Sequence, residues 1–234
     1  MKSCVVVAGC LLSFACGESW AAGINLAWTE CLGSGGASDR TVACTNGATA
    51  ENVLFLSFVV PAGIPRLGTV DASIDVQTAS ALGSWWLGGA SRFEGGTSPG
   101  STTCPAWWSA APRGGIALAP SFAQIAPQLL RIRVVVSVAA GEEQNIPMNG
   151  AEWLATTLRI RFDPGPFENP QCAAGACFSC PRLVLHQAGD RPDTVLQTPD
   201  VRNFATWQGG RGVVCPSAAP SIPVTWGSIK NLYR

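Results

Sequence analysis

Asp71 and Asp75 are the first residues with the type and spacing to do chemistry. They lie in a run from Thr69 to Gln77 in which apolar and polar residues strictly alternate. On a strand the two carboxylates share one face, two pleats apart, and a carboxylate pair about 5–10 Å apart is the equipment of a glycoside hydrolase. The competing reading is electrostatic. Arg131, Arg133, Arg159 and Arg161 take alternate positions in two later runs, and cross-strand ion pairs with Asp71 and Asp75 account for both sets. Ion pairing is the preferred reading, so no residue is assigned as catalytic. The single histidine, His186, sits in the apolar run RLVLHQ. No H-E-x-x-H or phosphate-loop pattern accompanies it, and a lone strand histidine reads as a surface or structural residue.

Ten cysteines raise the question of metal against disulfide. Cys172, Cys177, Cys180 and Cys215 include a C-x2-C spacing that suits zinc in a reducing compartment. In an exported chain the same thiols read as two disulfides, one local and one tying Cys215 to the cluster. Cys31 and Cys44 bound a Gly/Ser-rich loop and are expected to staple it, a closure worth about 3 kcal/mol in the chain-entropy model. Cys104 is then the free thiol. No metal and no cofactor is expected.

Two tryptophan pairs, Trp85-Trp86 and Trp107-Trp108, are the strongest binding signal. On extended backbone, adjacent rings point to opposite faces. One ring of each pair is then left to stack on a sugar or a protein partner, unless the rings cap the core.

The elements that must position these residues read as strands. The chain has 234 residues, 47% of them hydrophobic and 13% charged, with 26 Gly and 17 Pro. The 15 basic and 15 acidic residues cancel, which removes any electrostatic drive towards nucleic acid. Residues 1–22 have the charged start, apolar run and small residues of a signal peptide, with lipidation at Cys10 or Cys16 the weaker alternative. Residues 23–210 hold seven or eight short runs separated by turn signals, and no βαβ alternation. This predicts an all-β fold, an antiparallel β-sandwich of Ig-like or jelly-roll-like type. Val53–Val60 reads as a strand buried on both faces. Leu129–Val138 and Leu154–Phe162 read as two strands of one hairpin, and Pro120–Ala126 as a helical turn. No later segment is long and apolar enough for a transmembrane helix.

Residues 211–224 form a Pro/Gly/Ser-rich linker. In the last segment, 225–234, Trp226, Ile229, Leu232 and Tyr233 fall at helical spacing. Thr225 stands ready to cap the turn, and Lys230 and Arg234 lie where a helix C-terminus favours positive charge. This predicts a short C-terminal docking helix, with a sorting or assembly signal as the alternative.

The order of these features resembles a family. INLAW precedes a Cys-bounded loop; LFLSFVVPAGI and DVQTA precede a tryptophan pair; a cysteine cluster, NFATWQGG and TWGSIKNLYR follow. This arrangement resembles a group of exported bacterial proteins with no assigned activity, so the resemblance carries over no functional residue. It implies one further cysteine near Cys104, which SRFEGGTSPG lacks, and that agrees with Cys104 being unpaired. A looser similarity to sandwich modules such as cohesins is architectural, and fold does not fix function.

These readings combine into an exported, non-enzymatic structural or interaction protein of the bacterial cell envelope or exterior. It would be periplasmic, surface-bound or extracellular, with a protein or glycan partner outside the cytoplasm. A carbohydrate-binding module using exposed tryptophans is the alternative, and a glycoside hydrolase-like enzyme the third.

Overall fold

The computed structural model describes residues 22–44, 52–88, 92–97, 104–108, 116–161, 171–210 and 215. The expected signal peptide apart from Ala22, the linker apart from Cys215, and the C-terminal motif lie outside the described residues, as does Phe162.

The strands are β1 (Gly23–Trp28), β2 (Asp39–Arg40), β3 (Asn52–Val59), β4 (Ile64–Thr78), β5 (Phe93–Gly96) and β6 (Ile116–Ala126). They continue as β7 (Leu129–Val138), β8 (Gln144–Ile146), β9 (Trp153–Ile160), β10 (Ala176–Gln187), β11 (Thr194–Leu196) and β12 (Phe204–Trp207). A smaller sheet has the order β1-β3-β9-β5. A larger sheet runs β2-β12-β10-β4-β7-β6, with β11 added to β10 and β8 to β4. Every pairing is antiparallel except that of the two-residue β2 with β12. The protein is an antiparallel β-sandwich.

Hydrophobic periodicity explains the large sheet. Val70, Ala72, Ile74 and Val76 of β4 are fully buried, as are Ile132, Val134 and Val136 of β7. Their polar neighbours face away from the core, the pattern of a sheet with one solvated face. The small sheet is different. All six residues of β1 are buried, and so is the run Leu154–Leu158 of β9. Such strands are covered on both faces. On the outer side, the loop after β1 lays its backbone on Ala27: a Cβ at Gly36 would stand 2.6 Å from the Ala27 Cβ, so only glycine lets this loop close.

An aromatic cluster joins the layers. Trp28 of the small sheet meets Phe178 of the large one edge-on at 5.3 Å and Trp207 at 5.7 Å. Trp86 fills the space between, 5.9 Å from Phe178 and 6.4 Å from Phe93. The indole N–H groups of Trp28 and Trp207 are satisfied by the carbonyls of Thr206 and Cys172, each at 2.7 Å.

The structure corrects several expectations. β7 and β9 are not a hairpin. β7 pairs with β4 and β6 in the large sheet, while β9 pairs with β3 and β5 in the small one. The reason is burial: β9 carries Thr156 and Thr157 at 1% and 3% exposure, so it cannot be a strand with a wet face. Residues 120–126 are not a helical turn but the second half of β6, turned back onto β7 at Pro127-Gln128.

The disulfides also differ. They join Cys31 to Cys104, Cys44 to Cys172, and Cys177 to Cys215. The expected Cys31–Cys44 staple is absent because the loop after β1 is clipped instead to the segment 104–108. Cys104 is therefore not free. Among the described residues the unpaired thiol is Cys180, fully buried on β10. Cys215 does return to the cluster, at Cys177. The local disulfide expected among Cys172, Cys177 and Cys180 does not form, because Cys172 is tied to Cys44. Three disulfides belong to a chain that folds in an oxidising compartment. Among the described residues no helix is long and apolar enough to cross a membrane.

Candidate functional site

Asp71 and Asp75, the carboxylate pair with hydrolase-like spacing, are both engaged by arginines. Asp75 receives two hydrogen bonds from Arg131, at 2.7 and 2.8 Å, and Asp71 two from Arg133, at 2.9 and 2.7 Å. Both are side-by-side, two-point pairs across β4 and β7. Arg133's hydrogen bonds hold the Asp71 carboxyl below its usual range; burial opposes this, and the charges of Arg133, His186 and Arg182 reinforce it. Arg159 and Arg161 do not join this face. They meet Glu94 of β5 on the small sheet, at 3.6 Å and 2.9 Å. A fully ion-paired carboxylate with a lowered pKa is a poor general acid. His186 is held through Nδ1 by Asp193 at 2.8 Å in an exposed local clamp.

The tryptophan pairs do not form a platform. Trp85, Trp86, Trp107 and Trp108 are 3%, 1%, 1% and 7% exposed. The premise of extended backbone fails. Residues 84–87 are a turn, with the N–H groups of Trp86 and Leu87 returning to the Gly83 carbonyl. Both rings of that pair therefore fall inward, perpendicular at 4.5 Å. The Arg92 guanidinium lies 4.4 Å over the Trp85 ring and donates to the Trp85 and Arg161 carbonyls. The second pair is pinned by Cys104 and by backbone hydrogen bonds between Leu154 and both Pro105 and Trp107.

Among the described residues, one group of cysteine and carboxylate ligand atoms comes close together. Ligand atoms of Glu30, Cys31 and Cys104 lie within 4.8 Å of one another, but the two sulfurs are bonded to each other and are not thiolates. The Cys180 thiol donates to the Arg182 carbonyl, and burial pushes its pKa up to about 12. Such a thiol is inert.

A polar knot escaped the sequence reading. Asn25 of β1 donates to Glu152 and Asp200, both at 3.0 Å, and accepts from the N–H groups of Val201 and Arg202. Glu152 also accepts from the Ser57 hydroxyl at 2.6 Å and the Gly33 N–H at 2.7 Å. Burial raises the Asp200 pKa, Asn25's hydrogen bond opposes that, and the charge of Glu152 adds to the rise. Every named partner is internal, so the knot ties together β1, the loop after it, β3, the residue before β9 and the non-strand segment 200–202 before β12. Its members are up to 177 residues apart, and no local spacing announces them.

What remains open to a partner is an edge. The outer edge of β1 is covered by residues 198–202, through Ile24 N–H to Thr198, Leu26 N–H to Arg202 and Asp200 N–H to Ile24. β5 has four residues, two of them glycine, and β2 has two. β6 has 11 residues, IALAPSFAQIA, with no charge, and among the described residues its only strand partner is β7. Ser121, Ala123, Gln124 and Ile125 are exposed, Ile125 by 52%. Among the described residues, Pro120 and a register shift between Gln124 and Ala126 are the blunting devices along it. The sequence signal is there, an uncharged 11-residue run, but in Ala/Gly/Ser/Pro-rich surroundings Pro120–Ala126 reads as a helical turn.

No family model matches this chain, and no curated protein matches it. Among solved structures it is similar to a cohesin module of a family 33 glycoside hydrolase from Clostridium perfringens ATCC13124. The identity is 8%, over 80% of this chain and 93% of that one, with a TM-score of 0.32. That likeness carries no inference about function.

Proposed function

We propose that this is an exported, non-enzymatic interaction protein of the bacterial envelope or exterior, and that it docks its partner along the edge of β6. The observation that carries the reading is that long, uncharged edge, which offers backbone N–H and C=O groups where the other edges are short or covered. An extended segment adding to such an edge gains main-chain hydrogen bonds without needing a pocket. Burial of all four tryptophans and the pairing of Asp71 and Asp75 with arginine weigh against the sugar-binding and hydrolytic alternatives.

The test is site-specific photocrosslinking in the producing cells, from a photoreactive phenylalanine analogue at Ile125. Met148, 60% exposed in the loop after β8, serves as the control position. Protein adducts are expected at 125 and not at 148. Equal labelling at both positions, or specific binding of the mature protein on a glycan array, would sink the reading. The adduct mass shows whether the partner is the same chain or another.

A further inference from the structure

We infer that the occupant of the β6 edge is a second copy of this chain, paired antiparallel through β6 about a two-fold axis at Phe122. This inference rests on the edge-docking reading above and assigns its partner.

Three observations lead there. The first is an aromatic row that runs out to the edge. Trp86 stacks on Phe93 at 6.4 Å with 23° between planes, and Phe93 stacks on Phe122 at 6.2 Å with 25°. Trp86 and Phe93 are buried, whereas Phe122 packs on the core but stays partly open. A two-fold axis at Phe122 sets the partner's Phe122 directly opposite, on the same face, and the row continues into the second sandwich. Aromatic pairs directly opposite across antiparallel strands are favourable.

The second is parity. Pro120 has no N–H and stands opposite Val134, so it belongs to a pair that exchanges no hydrogen bonds with β7. Phe122, opposite Ile132, shares that parity, and its N–H and C=O point outward. Pairing at Phe122 then matches Phe122 with itself and Gln124 with Pro120. This gives about four backbone hydrogen bonds, with Pro120 acting only as an acceptor.

The third is charge and size. β6 has no charged residue, so antiparallel self-pairing sets no like charges opposite each other. Ser121 and Ala123 lie beside Arg133 and Arg131, whose charges are met by Asp71 and Asp75. Across the axis Ser121 faces Ala123 of the partner, and both are small enough to let the edges approach. A strand edge of this length buries less than a standard interface, so a dissociation constant on the order of micromolar is expected.

The experiment is sedimentation velocity of the mature full chain over a range of concentrations. It compares the wild type with S121K/A123K, S121E/A123K, and a chain lacking residues 216–234. Positions 121 and 123 are exposed, so circular dichroism and Tm can confirm an intact fold. The wild type is expected to dimerise. S121K/A123K places lysine opposite lysine twice and should weaken the dimer by about 10-fold or more. S121E/A123K places glutamate opposite lysine and should restore it. A monomeric wild type, a dimer indifferent to S121K/A123K, or failure of S121E/A123K to restore would overturn the inference. So would dimerisation that appears only when residues 216–234 are removed, which would make the chain's own tail the occupant. Adducts at position 125 to a different protein, with a monomeric wild type, would leave the docking reading standing without this one.

Discussion

At the scale of single residues, the charged groups adjust stability locally. The Asp71–Arg133 pair is two-point but exposed on the arginine side, and such pairs contribute about 0–1 kcal/mol. Asp71→Asn is therefore expected to fold normally and to lose no more than about 1 kcal/mol at pH 7 in urea unfolding. Because the folded-state pKa lies below 3.8, that contribution is present above pH 3.8 and disappears as pH falls through the lower folded value. Asp200 has the opposite sign. Its folded pKa lies above 3.8, so the folded state holds the proton more tightly and ionisation costs stability as pH rises through the raised value. Asp200→Asn keeps an acceptor for Asn25 and removes the charge beside Glu152. Its Tm at pH 7 should exceed the wild type's by about 1–2 °C, and the gain should shrink as pH falls below 4. A gain that is the same at pH 3 and pH 7 would contradict the charge argument. Cys180 offers a third check. In a chain starting at Gly23, native protein should show no thiol reactive towards iodoacetamide at pH 8, and denatured, unreduced protein should show one, at Cys180. Labelling at Cys104 instead would contradict the disulfide pairing.

At the scale of elements, the legible parts are those whose physics is local. β4 and β7 were readable because one face is wet and the alternation of Val70, Ala72, Ile74 and Val76 with Asp71, Ser73 and Asp75 survives in the sequence. β1 and β3 were readable as apolar runs. β9 was misplaced because Arg159 and Arg161 mark a wet outer face in the sequence, opposite inward Leu154, Thr156 and Leu158; that face is covered, with Ala155 and Thr157 only 0% and 3% exposed, by neighbours that sequence does not reveal. The sequence left the tryptophan pairs open between a binding platform and a cap on the core; for Trp85-Trp86 a turn at Gly83 sends both rings inward. Disulfide partners and the Asn25 knot depend on contacts across the whole chain and leave no spacing to read. The aromatic row is an element-level device that can be tested. Phe93→Ala removes the middle ring, fully enclosed between Trp86 and Phe122, and should cost about 3–5 kcal/mol in urea unfolding. Phe122→Ala, at the partly open end, should cost less in the monomer. If Phe122→Ala is the more damaging change, Phe122 is not the open end of the row.

At the scale of the whole molecule, three covalent links tie distant parts of the chain, and their sequence separations rank their contributions. Cys44–Cys172 spans 128 residues, Cys31–Cys104 spans 73, and Cys177–Cys215 spans 38. Chain entropy taken loop by loop gives about 5, 4.5 and 4 kcal/mol. The expected Cys31–Cys44 staple would have restrained one loop; the links that form restrain the order of the layers. Cys31–Cys104 draws the Trp107-Trp108 segment towards the loop after β1, and Cys44–Cys172 brings the loop after β2 to the start of β10. Removing both cysteines of a pair leaves no stray thiol, so the three double alanine variants can be compared directly. Urea unfolding should place Cys44→Ala/Cys172→Ala as the least stable and Cys177→Ala/Cys215→Ala as the most stable of the three, about 1 kcal/mol apart. Burial can disturb this order in only one place: Cys31 and Cys104 are both enclosed in the core, whereas Cys44 and Cys215 are half-buried. A variant lacking Cys31 and Cys104 that proves the least stable would mean that packing around that disulfide outweighs loop length. A variant lacking Cys177 and Cys215 in that position would contradict the entropic account, since it combines the shortest loop with a half-buried partner.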